Sequence, residues 1–134
     1  MMNKEDQQRK YLEIQILMQQ GKELQQQYQL LEQQLVELST TIDSLNGIKN
    51  VKENSEVLAS IGQGILFKAN IKNPNELFIN IGANTVAVKS VDEALSILKN
   101  QEEEFRDLLN QIAFEINNIN SNLNQLNEGL TENE

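Results

Sequence analysis

A seven-residue repeat of apolar side chains, held over five heptads, limits this chain to very few architectures. Leu17, Leu24, Leu31, Leu38 and Leu45 are spaced by seven, and Ile14, Gly21, Tyr28, Leu35 and Ile42 form the same series three residues earlier. A helix covering a globular core repeats near 3.6 residues. A sustained period of 3.5 keeps one narrow stripe facing a partner helix, which is the mark of a coiled coil. Only Gly21 breaks the stripe, and the intervening positions are mostly Gln and Glu, which suit solvent. A second series follows near the other end of the chain. Val91, Leu95, Leu98, Glu102, Phe105, Leu109, Ile112, Ile116, Ile119, Leu123, Leu126 and Leu130 alternate by four and three, with Glu102 the one polar member. Ser90-Val91-Asp92-Glu93 is a capping box that starts this second helix. Asn46-Gly47 reads as the stop of the first, with Gly47 taking the left-handed C′ conformation.

Glycine and proline divide the chain into three segments. Residues 1–46 form an N-terminal coiled-coil helix, 47–89 a turn-rich insert holding Gly47, Gly62, Gly64, Gly82 and the single Pro74, and 90–134 a C-terminal coiled-coil helix. Two helices of similar length around a short insert fold back antiparallel. One register pairs residues whose numbers sum to 140: Leu45 with Leu95, Ile42 with Leu98, Leu35 with Phe105, Leu31 with Leu109, Tyr28 with Ile112, Leu17 with Leu123 and Ile14 with Leu126. A register one heptad shorter is also open. Roughly 35–40 residues at ~1.5 Å each would make an arm about 55–60 Å long. Gly21 leaves a gap opposite Ile119. Lys10 and Gln7 continue the first stripe as polar residues facing Leu126 or Leu130, and the stretch 117–127 is rich in Asn, a poor helix former. An arm firm near the insert and loose at its far end follows. Off-seam apolar residues (Tyr11, Leu12, Ile16 and Met18) crowd that end and read as a contact surface.

The insert reads as two β-hairpins. Val57–Ile61 and Ile65–Ile71 flank Gly62-Gln63-Gly64; Leu77–Ile81 and Thr85–Lys89 flank Gly82-Ala83-Asn84; Asn73-Pro74-Asn75 connects them. Isolated hairpins bury too little to stand alone and leave bare pairing edges, so pairing with hairpins of other subunits, and hence an obligate oligomer, is expected.

Composition excludes much of the remaining chemistry. Cys, His and Trp are absent, which removes zinc fingers, thiol nucleophiles, Ser–His–Asp triads and disulfide frameworks. Twenty acidic against 11 basic residues give a net charge of -9, unsuited to nucleic acid or anionic membranes. The polar N-terminus lacks a signal-peptide core and no stretch is long and apolar enough to span a bilayer, so a cytoplasmic protein is expected. Gly62-Gln63-Gly64 lacks the further residues of a nucleotide loop and lies between strands. Glu102, Glu103 and Glu104 point about 100° apart on a helix and cannot converge on a metal, so they read as a solvated face, with Glu102 able to set register. Phe114 is an off-seam aromatic that suits local packing or a partner contact equally. No enzyme, cofactor or metal site is expected.

Taken together, the order helix, two hairpins, helix resembles the prefoldin family, and its alpha class of archaeal type in particular. The motifs that carry the resemblance are Gly62-x-Gly64, Phe67-Lys68-Ala69-x-Ile71, Asn73-Pro74, Ile81-Gly82-Ala83 and Val88-Lys89-Ser90-x-x-Glu93-Ala94. A second hairpin is what distinguishes the alpha from the beta class. The resemblance implies an α+β fold: a long antiparallel two-helix coiled coil joined by two β-hairpins that form a β-barrel with other subunits. The hairpin residues Val57, Ile61, Ile65, Phe67, Ile71, Phe78, Ile81, Val86 and Val88 would make that oligomerisation surface. It further implies a hexamer of two alpha and four beta subunits, acting without ATP as a chaperone. Unfolded proteins would be held at the coiled-coil tips, at Tyr11, Leu12, Ile14, Ile16, Met18, Leu123, Leu126 and Leu130, and delivered to a group II chaperonin. The rival expectation is a structural tethering subunit of another prefoldin-like complex.

Overall fold

The first helix begins at an asparagine. Asn3 Oδ1 accepts the amide of Asp6 at 2.8 Å, satisfying one otherwise orphan donor, and the Asn3 carbonyl accepts that of Gln7 in the first intrahelical bond. Glu5 and Asp6 in the first turn complement the helix dipole. The structure, a computed structural model, describes residues 3–132; the ends of the outer segments, 1–2 and 133–134, lie outside the described residues. The elements are α1 (Lys4–Ile48), β1 (Ser55–Gly62), β2 (Ile65–Ile71), β3 (Leu77–Gly82), β4 (Thr85–Lys89) and α2 (Val91–Glu132). They form two compact units, a helical unit comprising the chain up to Val36 and from Glu103, and a hairpin unit, Glu37–Glu102.

In the helical unit the stripe expected from the heptads is the buried stripe. Ile14, Leu17, Gly21, Leu24, Tyr28, Leu31 and Leu35 on α1, and Phe105 through Leu130 of the four-three series on α2, are all buried or half-buried; their neighbours are exposed with few exceptions. Leu109 and Ile112 are the most enclosed. The register with sums of 140 is the one adopted: a methyl placed on Gly21 would touch Ile119 Cγ2 at 3.5 Å. Gly21 and the Asn-rich stretch of α2 both stay helical. At the end of this unit Lys10 Nζ lies over Gly129, in the last turns of α2.

The hairpin unit has its tightest packing where α2 begins. Val91 and Ala94 are each 2% exposed and Leu95 5%, with Leu38 and Ile42 of α1 also buried. Glu102, the polar member of the seam, accepts a hydrogen bond from Ser39 Oγ at 3.2 Å. The expected stop at Asn46-Gly47 does not occur. Gly47 has no positive φ, and α1 continues to Ile48, with the Lys49 amide bonded to the Leu45 carbonyl. The extra turn half-buries Ile48 and brings Lys49 Nζ within 2.9 Å of Asp92. Those contacts offset the ~1 kcal/mol that a helical glycine costs.

At the start of α2 the capping box forms, with the serine hydroxyl engaged twice. The Glu93 amide donates to Ser90 Oγ at 3.1 Å, as the motif requires. The Ser90 hydroxyl also donates to Glu93 Oε1 at 3.1 Å, beside the influence of the Ser90 backbone on the same carboxylate. Asn75 Oδ1, from the connector between the hairpins, accepts the Val91 amide at 3.2 Å. The Ser90 side chain, then its backbone, and Lys89 hold the Glu93 carboxyl below its ordinary range. A depressed carboxyl contributes stability above its unfolded-state pKa and loses it as pH falls through the folded one.

The strands pair β1 with β2 and β3 with β4, both antiparallel. The two hairpins close in the same way. Gly62 pairs with Ile65 and Gly82 with Thr85, each after a bulge. Gln63, Gly64, Ala83 and Asn84 all have positive φ, the signature of two-residue type I′ turns. Side chains two residues back accept the bulge amides: Ser60 Oγ from Gly62, and Asn80 Oδ1 from Gly82.

Two substitutions test this account. Gly21→Ala fills space already present and should stabilise the chain by about 1 kcal/mol, raising Tm by a few degrees; Gly21→Leu should lower it. Ala83, at φ 50°, is a strained residue for this turn. Ala83→Gly should raise Tm or leave it unchanged, whereas Gly64→Val, at the turn position that Asn84 occupies in the second hairpin, should lower it by a few degrees.

Candidate functional site

Among the described residues none is both buried and polar, and no group of three or more acidic side chains is placed to hold a metal ion. Glu102, Glu103 and Glu104 do not converge on one: Glu102 faces the seam, while Glu103 and Glu104 are exposed. Gly62 and Gly64 serve the β1–β2 turn. No described helix is long and apolar enough to cross a membrane. What the chain offers instead is apolar surface.

In the hairpin unit that surface follows the strand alternation. On β3–β4, Leu77, Ile79, Ala87 and Lys89 share one face and are half-buried; Phe78, Val86 and Val88 share the other and are exposed. Phe78 pairs directly with Val88 and is 68% exposed. On β1–β2, Val57, Ala59, Ala69 and Ile71 are half-buried on one face, with Phe67 exposed at its outer end. Ile61 and Ile65, beside the first turn, and Ile81, beside the second, are exposed as well. Of the hairpin residues singled out from the sequence, only Val57 and Ile71 are thus partly covered within the chain.

Sequence reasoning missed Leu58 and Leu66. Both are exposed and share the reverse face of the first hairpin with the Glu56–Lys68 ion pair. The signal was available: they alternate with Val57, Ala59 and Phe67, so a strand apolar at consecutive positions is apolar on both faces. A natural hairpin with two apolar faces and free edges must be covered on both sides.

In the helical unit, the residues at the end where α1 begins and α2 finishes separate into two groups. Ile14, Leu123, Leu126 and Leu130 are half-buried members of the seam. Tyr11, Leu12, Ile16 and Met18 are about half exposed or more. At ~100° per residue these four make two stripes, Leu12 with Ile16 on the outer face and Tyr11 with Met18 beside the seam, about 100° or more apart. They do not form one continuous patch. Leu17 and Leu126, with Lys10, Glu13, Asn122 and Gln125, line a shallow cleft of about 410 Å³ between the helices. Phe114, Leu30 and Val36 add further exposed apolar side chains in the same unit.

If the exposed face of the second hairpin is an assembly surface, Phe78→Asp with Val88→Asp should leave the helix content of the subunit intact by circular dichroism while shifting the mass of the purified assembly to that of smaller species. An unchanged assembly mass would exclude this face.

Comparisons with known proteins agree with this geometry. The family model for prefoldin, described as prefoldin subunit, matches residues 17–133. The chain is 26% identical over 118 residues to prefoldin subunit alpha of Thermofilum pendens, covering 88% of this chain and 92% of that one. Against prefoldin subunit alpha of Pyrococcus horikoshii it is 30% identical over 98 residues, 72% of this chain and 66% of that one. Among solved structures it is similar in fold to a chain of filamentous PFD from Methanocaldococcus jannaschii, with a TM-score of 0.72 at 16% identity, covering 84% of this chain and 93% of that chain.

Proposed function

The chain belongs to the prefoldin family, and from that premise we propose that it is the alpha-class subunit of a cytoplasmic chaperone that holds unfolded proteins at the end of its coiled coil without ATP and passes them to a group II chaperonin. The observation that carries this reading is the exposure of apolar side chains on the hairpins and on the helix ends around Tyr11, Leu12, Ile16 and Met18.

The hairpin surface supports assembly with beta-class subunits and a second alpha subunit, in the two-to-four hexamer the family implies. Two-stranded sheets with free edges and apolar faces gain both hydrogen bonds and burial when strands of other subunits complete them. The helix ends support client contact. Leu12, Ile16, Tyr11 and Met18 in separate stripes present a broad, thinly apolar surface. It grips an unfolded chain weakly at several angles instead of admitting one peptide into a formed groove. Several such ends tethered in one assembly raise the effective concentration of each, so weak contacts sum to a useful hold and detach in succession. Of the half-buried seam residues Ile14, Leu123, Leu126 and Leu130, Leu126 shapes the cleft beside Leu17 and the others keep the helix pair closed beneath the exposed stripes. No ATP step is invoked, and Gly62 and Gly64 have a structural use that accounts for them.

The test is suppression of aggregation of a chemically denatured enzyme by the complex reconstituted with beta-class subunits. Replacing Tyr11, Leu12, Ile16 and Met18 with Ser should cut suppression several-fold while the assembled mass stays unchanged. Full suppression by the variant would move the client surface elsewhere. Suppression lost along with assembly would point to a structural tethering subunit.

A further inference from the structure

We propose that Glu102 is the residue that fixes the register of the two helices, by bonding Ser39 in the register observed and by meeting a second carboxylate in the nearest alternative. A strict heptad repeat is degenerate: sliding α1 by seven residues past α2 replaces each apolar seam residue with another. Pairs summing to 133 include Leu38 with Leu95, Leu35 with Leu98, Tyr28 with Phe105, and Leu24 with Leu109. The number of apolar pairs is nearly the same as in the register adopted, so apolar burial alone discriminates little between them.

Glu102 does discriminate. It is the only polar residue in the α2 series and is half-buried. In the structure the Ser39 hydroxyl, on the adjoining α1 position, donates to its Oε2 at 3.2 Å. Seven residues before Ser39 stands Glu32. A one-heptad slip therefore exchanges a hydroxyl donor for a carboxylate, leaving like charges side by side in a partly desolvated seam. A slip the other way leaves Leu98 facing Lys49 and carries Val91 and Leu95 past the end of α1. A polar residue at a single seam position is a known means of specifying coiled-coil register at some expense in stability. The Lys49–Asp92 ion pair at the hairpin end is largely exposed and contributes little by comparison.

The chain has no cysteine, so engineered pairs report register without background. Gly21→Cys with Ile119→Cys reads the observed register, where the added Cβ lies in contact range. Gly21→Cys with Ile112→Cys reads the one-heptad slip. With Glu102 in place, oxidation should give the first crosslink and almost none of the second. In a Glu102→Leu background the slipped crosslink should rise roughly tenfold or more, with helix content and Tm unchanged or higher. Glu102→Gln, which keeps an acceptor for Ser39 and removes the charge clash, should give an intermediate yield. If Glu102→Leu and Glu102→Gln both retain the unslipped crosslink alone, register is set by the hairpin-end contacts and the proposal is overturned. Loss of helix content in both variants would overturn it equally, since the residue would then be required for folding rather than for choosing between registers.

Discussion

Two helices that pair along one stripe can bury only that stripe. This limit governs the whole chain. In a globular domain a helix packs against two or three neighbours and hides a wide apolar face. Here each helix has a single partner, and the buried set is short: Leu109 and Ile112 in the helical unit, and Leu38, Ile42, Val91, Ala94 and Leu95 in the hairpin unit. Most large apolar residues outside the stripe are left to solvent or to another molecule. The list of exposed apolar side chains is long because the architecture provides nowhere to put them, and a net charge of -9 offsets what would otherwise be an insoluble surface.

The hairpins meet the same limit in another form. Their turns are built alike, with a bulge, a positive-φ glycine and a two-residue type I′ turn, and with Ser60 and Asn80 in equivalent supporting roles. Such care in closing the turns fixes the strand register, which in turn decides which side chains share a face. The result is a sorted surface: one partly covered face and one open face per hairpin. Two-stranded sheets of this kind gain little stability alone. Their apolar exposure is consistent with the subunit assembly expected of the prefoldin family.

Much of this was legible in the sequence because it depends on periodicity and turn chemistry, which are local. The heptads located both helices and the whole buried stripe, and glycines at Gly62, Gly64 and Gly82 located the turns. What was misread depended on context. Gly47 carries a helix-stop signal, but burial of Ile48 and the Lys49–Asp92 pair lie across the fold and overrode it. Leu58 and Leu66 escape a one-face alternation rule because β1 and β2 carry apolar residues at consecutive positions. The capping box carries one bond more than the motif states, because a serine hydroxyl can donate as well as accept. Register was the deepest ambiguity. A seven-residue repeat is blind to seven-residue shifts, and only residues that break the repeat carry that information.

Those interruptions deserve to be read as a set. Gly21, Glu102 and Lys10 each replace an apolar seam residue, and each meets a fitted neighbour: Ile119, Ser39 and the turn holding Gly129. At Lys10 the exchange has a further consequence. An ammonium set over the last turns of α2 is favoured by the negative end of that helix's dipole, so the helices can stay together there without an apolar pair between them. The apolar side chains of that end are then released from the seam to the flanks, where Tyr11, Leu12, Ile16 and Met18 are found. A helix pair closed by charge and dipole at its end, and apolar on its outside, can present sticky surface without coming apart to do so. This arrangement accounts for the separate stripes of exposed residues: they occupy the positions that pairing does not need.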